Sequence, residues 1–322
     1  MENKITQQFQ KINQLIKGVK APILIASHEN PDADAVGSLL TLNFAAKQLN
    51  FQSFLYLPDK APEYLDFLPG FTEIKNHIPS LDFGLLFCLD YGDFERLKLP
   101  QNFPEEKIIT LDHHLESDQR GQVKIIGPQF SSTSEIIYLW LTELRVEIER
   151  NIATCLLTGI ISDTGGFKHI STSPQTLEIV SVLLAKGASI EVLSRRVLTL
   201  GRPLTRSKIW AETLSRVTLD QKRSFVFSWV SFEDLKKYQV PPSDLDGISS
   251  LISTISVASF SLFLVEYEKG KVKGSLRSEP YKGKDITELA KALGGNGHSY
   301  AAGFKQEGSI EEVLKKVYNL IG

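Results

Sequence analysis

Residues 22–40 read PILIASHENPDADAVGSLL. The run Ile23–Ala26 is apolar without a break, the pattern of a strand buried on both faces, because a half-exposed strand would alternate. From about Asp34 to Leu49 the apolar residues recur at helical spacing instead. A strand that passes straight into a helix opens a βαβ unit, whose next strand lies parallel to the first. QSFLYL at 52–57, LLFCLD at 85–90 and KIITLD at 107–112 supply further strands, and helices are expected around 134–144 and 151–161. The N-terminal part is therefore expected to be an α/β domain, its mostly parallel sheet flanked by helices and covered on both faces.

In open parallel sheets ligands bind beyond the carboxyl ends of the strands. Polar residues collect at those ends: His28, Asp32 and Asp34 after the first strand, Asp90 after LLFCL, and Asp112, His113 and His114 after the third. Asp163, in GIISDTGGF, closes a long apolar run in the same way. Each has a plainer local reading. Asp32 or Asp34 can cap the following helix, Asp90 and Asp163 stand in turn-forming contexts, and DHH alone fits a surface loop. Convergence changes the balance. Acids meeting at one edge repel by about 4 kcal/mol per pair near 4 Å at an effective dielectric of about 20, so the edge calls for cations. Four aspartates and two histidines give roughly the donors for two divalent ions, all O and N, a set suited to Mn²⁺, Mg²⁺, Co²⁺ or Fe²⁺ rather than to a thiolate zinc site.

The rest of the composition is that of an ordinary soluble protein. In 322 residues 42% are hydrophobic and 23% charged, and the formal net charge is -2, which argues for two domains and against a broad basic surface for long duplex nucleic acid. Only Cys88 and Cys155 are present, both in apolar runs, so core thiols in a reducing compartment are expected. The N-terminal segment reads as an amphipathic helix without a signal peptide's apolar block. The uncharged stretch 247–265 reads as a helix end followed by a buried strand rather than a membrane span. A cytoplasmic protein with no membrane partner is expected.

Residues 175–217 read as consecutive helices broken by TLGRPLT, the candidate linker. Beyond it SRVTLD, SFVFSWV, SFSLFLVEY and KVKGSLRS look like strands, with helices near 232–238, 285–293 and 309–320: a smaller α+β domain. The boundaries are placed at 1–187 for the first domain, 188–216 for a helical linker and 217–322 for the second.

The segments HENPDADAVGS, LDYGD, LDHH, SDTGG and GGNGHSYAAGF, in this order along the chain, resemble the motifs of the DHH phosphoesterase superfamily and of its DHHA1 C-terminal domain. The layout is most similar to the branch that degrades very short RNA and removes the phosphate of pAp. The resemblance implies one metal on His28, Asp32 and Asp90 and a second on Asp34, Asp90, His113 and Asp163; spacing alone leaves the choice between His113 and His114 open. It also implies that Asp112 orients a neighbouring imidazole, that His114 faces the substrate phosphate, and that His298, Gly295, Gly297 and Arg277 bind the nucleotide. The implied ions are two, manganese first, and the implied partners are short RNA, pApA and pAp, with a homodimer as the oligomeric state. Two such ions lower the pKa of a water toward about 7, so no protein nucleophile is needed, and SSTSE at 131–135 reads as a capped helix start. A cyclic or linear dinucleotide phosphodiesterase, a pyrophosphatase, a single-strand exonuclease and a non-catalytic nucleotide sensor are the competing functions. His77 reads as a surface residue and His169 as a pocket residue; Arg195, Arg196, Arg202 and Arg206 read as a solvated helical face.

Overall fold

The computed structural model describes residues 2–99, 103–114, 117–199, 204–245 and 247–321. Two compact units divide the chain, Met1–Gly201 and Arg202–Gly322.

In the first unit α1 (Glu2–Gly18) leads to β1 (Ile23–Ala26), α2 (Ala33–Gln48), β2 (Ser53–Tyr56), β3 (Ile74–Lys75), β4 (Leu85–Leu89), β5 (Ile108–Asp112) and β6 (Val123–Ile126). Helices α3 (Thr133–Glu143), α4 (Arg150–Asp163), α5 (Pro174–Ala185) and α6 (Ile190–Ser194) follow, and α6 runs into a π-helical turn, Arg195–Thr199. The strands lie in the order β3-β2-β1-β4-β5-β6, every neighbouring pair parallel. All residues of β1, β4 and β5 are buried, which accounts for their unbroken apolar character.

Ile23, Ile25, Phe87, Leu89 and Leu111 face a core shared with Ile12 of α1, Leu39 of α2, Ile136 of α3, Leu156 of α4 and Leu183 of α5. The opposite face, Leu24, Ala26, Leu86 and Cys88, is covered by Phe83, Tyr91 and Leu97 from the connections. Both faces are covered, as expected, with the helical layer on one of them: among the described residues the β4–β5 connection makes short 3-10 turns, Phe94–Leu97 and Glu105–Lys107.

The chain moves outward from β1 to β2 and β3, then returns to place β4 on the other flank of β1. That reversal is a topological switch point, where the loops leaving adjacent strands part and open a crevice. Ser27 Oγ donates to Leu89 O at 2.7 Å and pins the ends of β1 and β4 together there.

The second unit contains α7 (Leu204–Ser215), β7 (Thr218–Asp220), β8 (Phe225–Val230), α8 (Phe232–Tyr238), α9 (Ile248–Ser253), β9 (Phe260–Glu268), β10 (Lys271–Arg277), α10 (Thr287–Ala292), β11 (Asn296–His298), β12 (Ala301–Glu307) and α11 (Ile310–Ile321). Its sheet runs β11-β12-β10-β9-β8-β7, antiparallel except for β8 beside β9. One face packs on Ala290 of α10 and Val313 and Val317 of α11, the other on Ile209 of α7, Leu235 of α8 and Ile248 of α9. The uncharged stretch is α9 and then β9, and among the described residues no helix is long and apolar enough to cross a membrane. The glycine-rich stretch is a strand pair, β11 and β12, where local sequence suggests only a loop.

Candidate metal centre

The turn after β1 does two jobs at once. Asp32 caps α2, its Oδ1 accepting from the N–H groups of Asp34 and Ala35 at 3.0 Å each, and a carboxylate keeps a second oxygen for another partner. Asp34, in the first turn of the helix, is fully buried. Close packing of α2 on α4 puts it there: a Cβ at Gly37 would lie 2.5 Å from Cys155 O, and one at Gly159 would run into Asp34 Oδ1 and Ser134 Oγ.

Asp90 follows β4 with φ 53°, the left-handed region that aspartate tolerates better than most side chains. Its N–H donates to Leu111 O at 3.0 Å. Oδ2 lies 3.8 Å from His28 Nε2, and Oδ1 lies 3.4 Å from His113 Nε2. His113 Nε2 is in turn 3.0 Å from Asp163 Oδ2, at the last residue of α4. Three sets result whose ligand atoms all fall within 4.8 Å of one another: His28, Asp32 and Asp90; Asp34, Asp90, His113 and Asp163; and Asp90, His113 and His114. Asp90 is common to all three. The six residues expected from three strand ends and α4 do meet, and they meet at the switch point.

Crowding distorts the titration of these groups. Burial, and then the Asp90 charge, push the Asp34 carboxyl up to about 7. Burial and the Asp34 charge raise Asp163 well above the usual range. Burial would raise Asp90 too, but hydrogen bonding to His113 and His28 holds it below the ordinary carboxylate value. Burial disfavours charge on His113, yet Asp163 and Asp90 push its pKa up to about 12. The carboxylates crowded here thus draw positive charge onto the His113 imidazole. A buried oxygen-rich set that makes a histidine serve as counter-cation fits a divalent ion in chemistry and in arrangement.

Asp112, fully buried, accepts from His114 Nδ1 at 2.7 Å and His114 N at 3.0 Å on Oδ1, and from Tyr91 N, Gly92 N and Ser117 Oγ on Oδ2. It organises the turns after β4 and β5 together. The hydrogen bond to Asp112 raises the pKa of His114, whose side chain is 43% exposed. His169 is exposed and its Nδ1 donates to Asp163 O at 2.7 Å; His77 is exposed as well. Burial raises the pKa of both cysteine thiols, and both are core residues. Arg195 pairs with Glu191 at 2.9 Å on an exposed face, Arg196 lies over the Phe67 ring and Arg206 over Trp210; Arg202 lies outside the described residues.

Sequence reasoning missed three participants. Arg96 Nη2 lies 2.7 Å from His28 Nδ1, and Nη1 donates to Tyr91 O at 3.1 Å; no local pattern marks it. Thr133 and Ser134 open α3, and Ser132 caps it by accepting from Glu135 N, as SSTSE suggests. The Thr133 N–H donates to Asp34 Oδ2 at 2.6 Å and that of Ser134 to Asp34 Oδ1 at 3.0 Å. The helix start therefore holds an anion, and the cap was its only visible signal.

In the second unit the register aligns Arg277 with Ala301 and Ala301 with His298, one row across β10, β12 and β11. Arg277 Nε is buried without a hydrogen-bond partner, and His298 is exposed. Gly295 and Gly297 are demanded by packing against β12: added Cβ atoms would lie 2.6 Å from Phe304 Cβ and 2.6 Å from Ala302 Cβ.

A parallel sheet with paired clusters of aspartate and histidine at its switch point, followed by a mixed-sheet domain, defines a phosphoesterase of the DHH class. Residues 22–160 match the DHH family, N-terminal domain, and residues 223–322 match the DHHA1 domain. The chain belongs to this superfamily of metal-dependent phosphoesterases. It is 30% identical over 323 residues to the bifunctional oligoribonuclease and PAP phosphatase NrnA of Thermus thermophilus, covering 99% of this chain and 95% of that one. Against the protein of the same name from Bacillus subtilis the identity is 26% over 285 residues, 87% and 88% of the two chains. The crystal structure of an exopolyphosphatase-related protein from Bacteroides fragilis superimposes with a TM-score of 0.82 at 26% identity, covering 98% of this chain and 95% of that one.

Proposed function

We propose that the chain is a two-metal phosphodiesterase and phosphatase that hydrolyses short oligoribonucleotides such as pApA to 5′-mononucleotides and converts pAp to AMP and phosphate. The observation that carries this reading is Asp90, common to every candidate ligand set, with one oxygen toward His28 and the other toward His113. His28, Asp32 and Asp90 would hold one divalent ion, and Asp34, Asp90, His113 and Asp163 the other. Manganese is the first choice, and magnesium, cobalt or iron suit the same donors. Bound there, the ions supply Lewis-acid stabilisation and lower the pKa of the attacking water.

The protein's own groups orient the substrate. Asp112 fixes the His114 ring through Nδ1 and favours its protonated form, which leaves Nε2–H free to donate to a phosphoryl oxygen. Arg277 and His298, on one sheet row, bind the nucleotide together with the backbone at Gly295 and Gly297. Residues 1–187 are assigned the chemistry and 217–322 the choice of substrate, with 188–216 as the linker between them, of which 200–203 lie outside the described residues. The relatives named as oligoribonuclease and PAP phosphatase support the substrate class. Two buried free thiols fit a reducing compartment; the cytoplasm is the inferred location and a homodimer the inferred state.

Product analysis after incubation with Mn²⁺ and pAp, pApA, a five-residue RNA, cyclic di-AMP or pyrophosphate tests the reading. AMP is expected from pAp and pApA, and the corresponding 5′-mononucleotides from the RNA. Intact pAp and pApA after long incubation of metal-loaded protein would exclude it, and turnover of pyrophosphate or cyclic di-AMP alone would move the chain to another branch of the superfamily.

A further inference from the structure

Thr133 is fully buried at the first position of α3 and touches two carboxylates that come from different elements. Its N–H donates to Asp34 Oδ2 at 2.6 Å, and its hydroxyl donates to Asp90 Oδ1 at 3.1 Å. The two contacts differ in kind. Any residue except proline keeps the first, whereas the second needs a hydroxyl, and an ionised carboxylate can only accept.

The Asp90 carboxylate has an easily rotated terminal torsion. Its Oδ1 stands 3.4 Å from His113 Nε2 and 3.6 Å from His114 Nδ1, both longer than the Thr133 contact. Oδ2 stands 3.8 Å from His28 Nε2. A proton delivered to Oδ1 from the α3 side sets the plane of the carboxylate, and the plane decides whether the two oxygens serve both ligand sets or only one.

We propose that Thr133 is a positioning residue whose hydroxyl fixes the Asp90 carboxylate as the bridge between the two metal positions. This rests on the two-ion reading above. Hydrogen-bond partners of metal ligands commonly contribute about 10–100-fold in affinity. The loss in a Thr133 variant falls on the set containing Asp34, Asp90, His113 and Asp163, because Oδ1 is the oxygen it shares.

Direct titration of metal-free, full-length protein with Mn²⁺, by calorimetry and by electron paramagnetic resonance, reads this without any turnover. Wild type is expected to take up two ions that are magnetically coupled. Thr133→Val keeps the N–H and the side-chain volume; it is expected to bind the first ion normally and the second about 10–100-fold more weakly, with the coupling lost at substoichiometric metal. Thr133→Ser should restore wild-type behaviour. Thr133→Ala is the second variant, with the same expected loss should valine disturb folding. Two ions bound with wild-type affinities by a folded Thr133→Val or Thr133→Ala protein overturns the inference alone, and so does a lower Tm of the metal-free variant with affinities unchanged. Uptake of fewer than two ions by wild type overturns the two-ion reading and this inference with it.

Discussion

His113 Nε2 lies 3.0 Å from Asp163 Oδ2, so the residue that follows β5 is joined to the last residue of α4. That link closes the ligand set on the helical side of the crevice. Asp163→Asn keeps the shape of the side chain and removes its charge. The variant is expected to retain one metal ion instead of two by elemental analysis and to lose at least about 100-fold in kcat, the upper end of what even indirect metal partners contribute. Near-UV circular dichroism should match wild type. Full metal content in Asp163→Asn would remove Asp163 from the set.

Asp112 gathers five donors, from Tyr91, Gly92, Ser117 and twice from His114. An asparagine there has a single acceptor oxygen and turns an NH₂ group toward groups that also donate. Asp112→Asn is expected to cost about 2–4 kcal/mol, since hydrogen bonds to a charged acceptor are worth about 1.5–3 kcal/mol each and some would survive. Differential scanning calorimetry should show Tm lower by about 5–10 °C. Activity should fall as well, because the His114 ring loses its partner. A melting point unchanged within a degree would show that the turns after β4 and β5 hold without this carboxylate.

Gly159 has no ligand role, yet a Cβ there would run into Asp34 Oδ1 and Ser134 Oγ and lie 3.0 Å from Ser134 Cβ. α2 cannot retreat without breaking its close packing on α4, where a Cβ at Gly37 would already lie 2.5 Å from Cys155 O. Gly159→Ala is expected to cost about 1–3 kcal/mol, the usual range for overpacking a filled interior, and to weaken metal binding through displaced Asp34. Urea unfolding and Mn²⁺ titration of the same variant check both parts. Reduced stability with unaltered metal affinity would mean that α3 moves and Asp34 stays.

What could be read from the sequence was what local chemistry encodes. The buried runs of β1, β4 and β5 announce a parallel sheet because both faces are covered, and the polar residues at their ends announce a site because strands of one such sheet share an edge. β3, two residues long, and β6, with its alternating burial, carry too weak a pattern to be found. β11 is hidden for another reason: Asn296 and Gly297 are poor strand formers, and pairing with β12 makes the strand. The double contact of Thr133 was unreadable because capping is a local signal, while its target Asp34 lies 99 residues away. Arg96 reaches His28 across 68 residues with no periodicity to betray it.

Stability of the second unit should depend on acid through Asp234. Arg216 holds this carboxylate with Nη1 on Oδ2 at 2.6 Å and Nη2 on Oδ1 at 3.0 Å, and Ser231 donates to Oδ2 through its N–H at 2.8 Å and its hydroxyl at 2.7 Å. Arg216 foremost holds the pKa at about 2, against an ordinary value of 3.8. Because the folded value is the lower one, the unfolded chain takes up a proton first as pH falls. The stabilisation is complete above about pH 4 and disappears as the pH drops through the folded value of about 2. Discounted for partial solvent screening, its size is about 1–2 kcal/mol. Denaturant unfolding of wild type and Asp234→Asn at pH 7, pH 5 and pH 3 should show wild type more stable by that amount at the two higher values, with the gap shrinking at the lowest. A gap that stayed constant down to pH 3, or grew, would mean that Arg216 and the Ser231 cap do not act through the charge of this side chain.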